Sequence, residues 1–87
     1  MRNRNVYVVW GPSPEWGDGV GVIGYATSKA WALAILREAE QEEKEYGPRS
    51  WRSIRECGGI EVVDAFELGW DRSVSLRRFV EKLNESI

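Results

Sequence analysis

Few residues of this chain could do chemistry, and the glycines of the stretch GVGVIG, Gly19 to Gly24, are the first to consider. A dinucleotide-binding turn has this glycine spacing, with a strand directly before its first glycine and a helix that begins at its last. Here the preceding apolar run ends at Trp10, and strong helix formers begin only at Lys29. The glycines therefore predict a strand that a helix and a neighbouring backbone approach closely, rather than a nucleotide site.

Catalytic and metal-binding side chains are equally scarce. The chain contains no histidine and one cysteine, Cys57, so it lacks the commonest general base and a zinc, copper or haem ligand set. Asp64 is the exception, because regular alternation in its predicted strand would point a charged group toward the core. An outward turn at a bulge or an arginine partner is the commoner outcome for such a carboxylate. We therefore expect no enzymatic activity, no cofactor and no metal ion.

Length and charge narrow the class of protein. A chain of 87 residues with 43% hydrophobic and 30% charged residues is typical of one small globular domain, residues 1–87. Its formal net charge of -2 provides no general attraction to nucleic acid or to an anionic membrane. The apolar run near Met1 is too short for a signal peptide or a membrane span. We expect a cytoplasmic protein with no membrane partner.

Residue patterns predict the elements of the first half of the chain. Asn5–Trp10 and Val20–Ala26 are rich in β-branched and aromatic residues, which predicts two strands of a hairpin. Strong helix formers fill Lys29–Tyr46, with Thr27 or Ser28 as the cap before them and a glycine and a proline after them.

The second half predicts a short helix, a strand and a final helix. Pro48 suits the first turn of the short helix, which spans 48–57. Alternation over 60–68 predicts a third strand. Asp71 or Ser73 would cap the last helix, whose apolar residues fall on one face: Leu76, Phe79, Val80, Leu83 and Ile87.

This order of elements, β-β-α-(short α)-β-α, predicts an α+β fold. A long helix that returns the chain to the far end of the sheet makes the third strand antiparallel to the first. We expect a three-stranded, mainly antiparallel sheet in the order 2-1-3, with the two main helices on one face.

The first strand is apolar on both sides, which predicts a surface that something must cover. Val6 and Val8 point one way, toward the helices, while Tyr7 and Val9 point the other way. An exposed apolar patch around Tyr7 and Val9 would suit a second copy of the chain or a foreign partner. In the alternative, the segment 48–57 folds across this face and covers it.

The tryptophans divide into two groups by their positions. Trp31 and Trp51 lie within predicted helices and are expected in the core. Trp10 ends the first strand, Trp16 lies in the loop between the first two strands, and Trp70 follows the third strand. Each of these three rings either caps the end of the sheet locally or contacts a partner, since tryptophan is enriched at interface hot spots.

Charged residues cluster around the end of the long helix. We call the acidic cluster the glutamate ridge; it consists of Glu38, Glu40, Glu42, Glu43 and Glu45. Negative charge there opposes the helix dipole, so the ridge is either a solvated face or a surface that docks on a basic partner. Arg49, Arg52 and Arg55 follow it. These arginines either pair with the ridge or bind phosphate groups of a nucleic acid.

At VYVVWG and then GVIGYATSKAWALAILREAE, the sequence resembles small bacterial and phage domains of unknown function. Those domains have a strand of the same type, a strand-to-helix junction and one further strand. The resemblance covers the first half of the chain and continues into 60–68. It implies the same fold and an accessory role, and it carries no catalytic residue to transfer.

These observations predict a small non-enzymatic protein-interaction module. It would act as a homodimer or as a modulator or inhibitor of a cellular or host protein. The predicted protein interface consists of Tyr7, Val9, Trp16, Trp70, Glu42 and Glu43. The alternative is a nucleic-acid-binding protein whose contacts are Arg49, Arg52 and Arg55.

Overall fold

A three-stranded antiparallel sheet lies at the centre of the computed structural model, which describes residues 4–12, 20–47 and 53–87. The strands are β1 (Asn5–Pro12), β2 (Val20–Ala26) and β3 (Gly59–Asp64). They lie in the order β2-β1-β3, and β1 pairs antiparallel with both neighbours. The α+β class and the strand order predicted from the sequence are confirmed.

The helices of the described residues follow the predicted order. They are α1 (Lys29–Tyr46), α2 (Ile54–Cys57), the 3-10 helix η1 (Ala65–Leu68) and α3 (Leu76–Glu85). The Ser28 hydroxyl caps α1 by accepting a hydrogen bond from the backbone N–H of Trp31 at 3.1 Å. Gly47 ends α1 with a φ of 84°, which a glycine adopts without strain. The predicted bounds of β2 and α1 are confirmed.

The third strand is shorter than the sequence alternation predicts. We expected a strand over 60–68, but β3 ends at Asp64 and the chain continues as η1. The Asp64 carboxylate causes this change, because Oδ1 accepts a hydrogen bond from the N–H of Phe66 at 2.9 Å. A side chain that bonds its own backbone in this way favours a turn over a continued strand.

The last helix begins later than expected. Asp71 and Ser73 were the predicted caps, but the cap is Ser75, whose hydroxyl accepts a hydrogen bond from the N–H of Arg78 at 3.2 Å. Asp71 instead accepts a hydrogen bond from the N–H of Ser73 at 2.9 Å and shapes the preceding turn. Of the predicted short helix 48–57, Ile54–Cys57 is helical, and 48–52 lies outside the described residues.

In the described part of the chain, fully buried side chains form two core clusters. One contains Val9, Ala26 and Ala32 and joins the sheet to α1. The other contains Val6, Ala65 and Val80 and joins the sheet to α3. The half-buried ring of Trp31 packs against both clusters, which confirms its predicted place in the core.

The contacts of β1 correct one expectation from the sequence. Tyr7 and Val9 were expected on a bare side of the sheet, but Val9 is 0% exposed and packs with Ala32, and Tyr7 is half-buried beside them. Val6 lies on the opposite side, because successive side chains alternate along a strand. It packs with Val80, so α3 contacts the side of β1 opposite to α1, and the expectation that the two main helices lie on one face is wrong. The hypothesis of an uncovered apolar face around Tyr7 and Val9 is wrong.

Ile35 of α1 approaches Gly24 of β2 closely, and this approach allows α1 to cover the side of the sheet that carries Val9. A methyl group at Gly24 would lie 3.0 Å from both Cδ1 and Cγ2 of Ile35. This distance is shorter than an ordinary van der Waals contact, so a larger residue at position 24 would force Ile35 of α1 to shift. The structure thus confirms the interpretation of Gly24 as a site of close helix packing.

We expect Gly24→Ala to lower the free energy of unfolding by about 1–3 kcal/mol, because the added methyl group overpacks the contact with Ile35. The same change in an Ile35→Ala background should cost much less, since the crowded atoms are gone. Gly59→Ala is the control, because nothing lies within 4 Å of its added methyl group. Equal losses for Gly24→Ala in the two backgrounds, measured by urea denaturation, would contradict this packing.

The side chain of Asn84 covers part of the free edge of β2. Its Oδ1 accepts a hydrogen bond from the N–H of Tyr25 at 2.7 Å, and its Nδ2 donates one to the carbonyl of Tyr25 at 2.9 Å. β2 is an edge strand, and these two backbone groups would otherwise be open to pairing by another chain. The Asn84 side chain of α3 therefore makes the two hydrogen bonds that a neighbouring strand would make with Tyr25.

We expect Asn84→Ala to lower the free energy of unfolding by about 1–3 kcal/mol, because both Tyr25 backbone groups lose a partly buried partner. Glu85→Ala, at the neighbouring exposed position, is the control. Urea denaturation of the two variants measures the difference. If both variants are as stable as the natural chain, the Asn84 contact contributes nothing to the fold.

Candidate functional site

The second half of α1 carries charged and apolar side chains on one face. Ile35 and Ala39 continue the apolar face by which the helix packs on the sheet. Glu38 and Glu42 lie beside them, four residues apart, so they occupy the same row of the helix surface. The glutamate ridge is therefore divided, and only some of its members border the apolar side chains.

This face of α1 forms one wall of a groove that we call the acidic groove. Its volume is about 570 Å³, within the range of cavities that bind ligands. The apolar lining from the described residues comes from β1, β2, α1 and α2. The described residues that line the groove are Pro12, Ile23, Ile35, Glu38, Ala39, Glu42, Glu43, Tyr46, Gly47 and Ile54. Glu42 and Glu43, two of the predicted interface residues, are thus brought together with side chains from four elements.

Glu43 also has a structural role in the acidic groove. Its Oε2 accepts a hydrogen bond from the N–H of Ile54 at 2.9 Å. Ile54 is the first residue of α2, and the preceding Ser53 makes no capping hydrogen bond through its side chain. Glu43 therefore caps α2 from a different helix and holds Ile54 at the groove.

Tyr46 is an exposed aromatic residue of the acidic groove that the sequence analysis did not place at an interface. It is 84% exposed, the largest exposed fraction among the large apolar side chains of the described residues. An aromatic residue in the last turn of an otherwise charged helix was the signal that could have identified it. Tyrosine suits a docking surface because its ring is apolar and its hydroxyl bonds water or a partner.

Trp70 lies away from the acidic groove, in a cluster with Phe66, Arg4 and Arg72. Its ring lies 5.0 Å from that of Phe66, and both guanidinium groups lie 5.3 Å from the Phe66 centroid. Its indole N–H donates to the carbonyl of Val74 at 2.8 Å, and its ring packs against the α3 cluster of the core. Trp70 thus has local contacts before α3, and its predicted contact with a partner stays a prediction.

Three of the predicted contact residues lie outside the described residues: Trp16, Arg49 and Arg52. Arg55 is exposed on α2. The structure therefore does not test the nucleic-acid surface of three arginines, which stays a prediction, and Trp51 also lies outside the described residues.

Asp64, the one candidate for catalysis, has an arginine partner. Its Oδ2 accepts a hydrogen bond from Nε of Arg4 at 2.8 Å, while Oδ1 caps η1. This confirms the arginine partner that we expected as the commoner outcome. Both carboxylate oxygens are engaged by the chain itself, so Asp64 serves the structure at the end of β3.

Asp71 lies beside a second cavity, of about 590 Å³, at the start of α3. Hydrogen bonds from the backbone and then the side chain of Ser73 lower the pKa of the Asp71 carboxyl below its ordinary value. The carboxylate therefore serves the turn before α3. Within residues 4–12, 20–47 and 53–87, no group of three or more histidine, cysteine, aspartate or glutamate side chains could hold a metal ion.

The length and hydropathy of the helices determine whether any of them could span a membrane. Among the helices in the described part of the chain, none is both long enough and apolar enough to span a bilayer.

Comparisons with known proteins identify no relative of this chain. No protein-family model, no curated protein and no solved structure matches it. The resemblance to small bacterial and phage domains therefore stays a prediction, and the geometry of the acidic groove is what supports a function.

We expect Asp64→Ala to lower the free energy of unfolding by about 1–2 kcal/mol, because it removes both the η1 cap and the ion pair. Arg4→Met removes the ion pair and the guanidinium contact with the Phe66 ring but keeps the cap, and it should cost less than about 1 kcal/mol, since the pair is partly exposed to solvent. Thermal or urea denaturation measures both changes. An equal cost for the two variants would show that the cap contributes nothing.

Proposed function

We propose that this chain is a small non-enzymatic domain that binds a partner protein in the acidic groove and works in the cytoplasm. The observation that carries the proposal is the combination, in one groove, of apolar side chains from four elements with carboxylates and an exposed tyrosine. Protein interfaces combine an apolar centre with a polar rim in this way.

The acidic groove takes the place of the sheet face as the docking surface. Tyr7 and Val9 pack against α1, so they are not offered again as contacts for a partner. Glu42 and Glu43 remain proposed residues of the interface, and their position at the groove supports this proposal. The partner would act on the domain, or be modulated by it, through this surface.

Asp64 supports the non-enzymatic part of the proposal. It is the carboxylate for which the sequence suggested chemistry, and both of its oxygens bond the chain itself. A general acid or base needs an oxygen within reach of a substrate proton. Asp64 is instead held between Arg4 and the start of η1.

Ala39→Arg tests the proposal, because a long charged side chain at this position would fill the acidic groove. Ala34→Arg is the matched control, with the same change at an exposed position of α1 outside the groove. The natural chain and both variants are immobilised and exposed to an extract of the cells from which the chain derives. We expect the natural chain and Ala34→Arg to retain proteins that Ala39→Arg does not retain.

Circular dichroism shows that both variants are folded, and isothermal titration calorimetry with a purified retained protein then measures the affinity. We expect Ala39→Arg to weaken binding by about tenfold or more, the loss that about 1.4 kcal/mol of binding free energy produces. If all three chains retain the same proteins with the same affinity, the groove is not the docking surface and the proposal fails.

A further inference from the structure

We infer that β3 pairs antiparallel with β3 of a second copy of the chain, about a two-fold axis at Val62, so that the two sheets become one continuous sheet. The inference concerns the outer edge of β3 and goes beyond the function proposed for the acidic groove. Three features carry it: the difference between the two edges of the sheet, the direction of the β3 backbone groups and the residues that this pairing places opposite each other.

The two edges of the sheet differ. At the β2 edge, the Asn84 side chain bonds both backbone groups of Tyr25. At the other edge, no strand of the described residues pairs with the outer side of β3. The β3 sequence, GIEVVD, contains no proline and no lysine, two residues with which natural proteins prevent pairing at a sheet edge. Within the described part of the chain, β3 is therefore the edge that can accept a further strand.

The ladder between β1 and β3 determines which backbone groups point outward. The N–H of Ala65 donates to the carbonyl of Arg4 at 2.9 Å, at the end of this ladder. Bonded and non-bonded pairs alternate along antiparallel strands, so every second residue of β3 directs its N–H and C=O away from β1. These residues are Ile60, Val62 and Asp64.

A two-fold axis at Val62 matches these outward groups. Both backbone groups of Val62 then bond those of the same residue in the second copy. On each side of the axis, the N–H of Asp64 donates to the carbonyl of Ile60 in the other copy. The carbonyl of Asp64 is not needed for this pairing, because an N-cap residue uses its carbonyl for the first hydrogen bond of its own helix, here η1.

The same axis places compatible side chains opposite each other. Val62 is 54% exposed on the side of the sheet that carries Tyr7, and it would lie against Val62 of the second copy. Glu61 would lie opposite Val63. An axis at Glu61 would instead bring two glutamates face to face, which is destabilising, and an axis at Val63 would extend the pairing into η1. The strand is thus self-complementary in one register, as a two-fold interface requires.

Two charged variants of Val62 test this pairing. Sedimentation velocity from micromolar to millimolar concentration should show a monomer–dimer equilibrium for the natural chain. Val62→Lys and Val62→Glu should each raise the Kd of the dimer about tenfold or more, because like charges then face each other across the axis. An equimolar mixture of the two variants, one of them fluorescently labelled, should form a heterodimer, because lysine then faces glutamate.

Ile87→Lys and Ile87→Glu are the matched controls. Ile87 is 59% exposed and follows α3, so the change from an apolar to a charged side chain is the same at a similar exposure. Both control variants should dimerise like the natural chain. Circular dichroism shows that all four variants are folded.

Amide hydrogen exchange distinguishes edge pairing from any other dimer. The N–H of Val62 gains a strand partner from the second copy, whereas the N–H of Glu61 bonds β1 in the monomer and in the dimer. Exchange at Val62, measured by NMR, should therefore slow as the protein concentration rises, and exchange at Glu61 should change less.

Several results would overturn the inference. They are a natural chain that stays monomeric, a dimer that Val62→Lys leaves intact, and a mixture of the two charged variants that stays monomeric. A dimer that only Ala39→Arg dissociates would place the second copy in the acidic groove. A monomeric chain that loses a captured protein through Val62→Lys would identify a foreign strand as the occupant of the edge.

The inference and the proposed function can fail separately. Ala39 lines the acidic groove, and Val62 is not among the described residues that line it. Capture that depends on Ala39 in a chain that never dimerises would leave the proposed function in place and the inference wrong. A dimer that depends on Val62, in a chain whose capture of proteins is unchanged by Ala39→Arg, would give the opposite result.

Discussion

The packing of the first half of α1 on the sheet is the contact on which the rest of the structure depends. Ala32 is fully buried with Val9 and Ala26, and Gly24 leaves the space that Ile35 needs. Because this contact holds only the first half of the helix, the polar second half runs on beside the end of the hairpin. The acidic groove lies between that second half, the hairpin and α2. A helix held farther from the sheet would not join these apolar side chains into one surface.

Polar side chains complete this small fold where its regular hydrogen bonding ends. Asp64 bonds the N–H of Phe66, Asn84 bonds both backbone groups of Tyr25, and Glu43 bonds the N–H of Ile54. Each of these backbone groups lies at a strand edge or a helix start, where its own element provides no partner. A chain of this size has a small core, so such hydrogen bonds contribute strongly to where its strands and helices end.

The acidic groove changes where association is expected on this molecule. The sequence placed the apolar surface on a sheet face and the charged surface on the glutamate ridge, as two separate features. In the structure α1 covers Val9 and packs beside Tyr7, while Val62, which pairs with Tyr7, stays 54% exposed. Part of the ridge borders isoleucines that come from β2, α1 and α2. Charge and apolar area thus occur in one groove, which is the arrangement that gives a docking surface both affinity and orientation.

The sequence by itself determined the α+β class, the strand order and the bounds of β2 and α1, because helix propensity, capping and β-branched runs act within a few residues. It did not determine which side of β1 faces α1, since Tyr7 and Val9 are as apolar as Val6 and Val8 and periodicity cannot distinguish the two sides. Alternation also could not show that Asp64 ends β3, because the hydrogen bond to Phe66 competes with the strand. Only the tertiary structure decided these points and assembled the acidic groove, because its side chains meet through contacts between residues far apart in the chain.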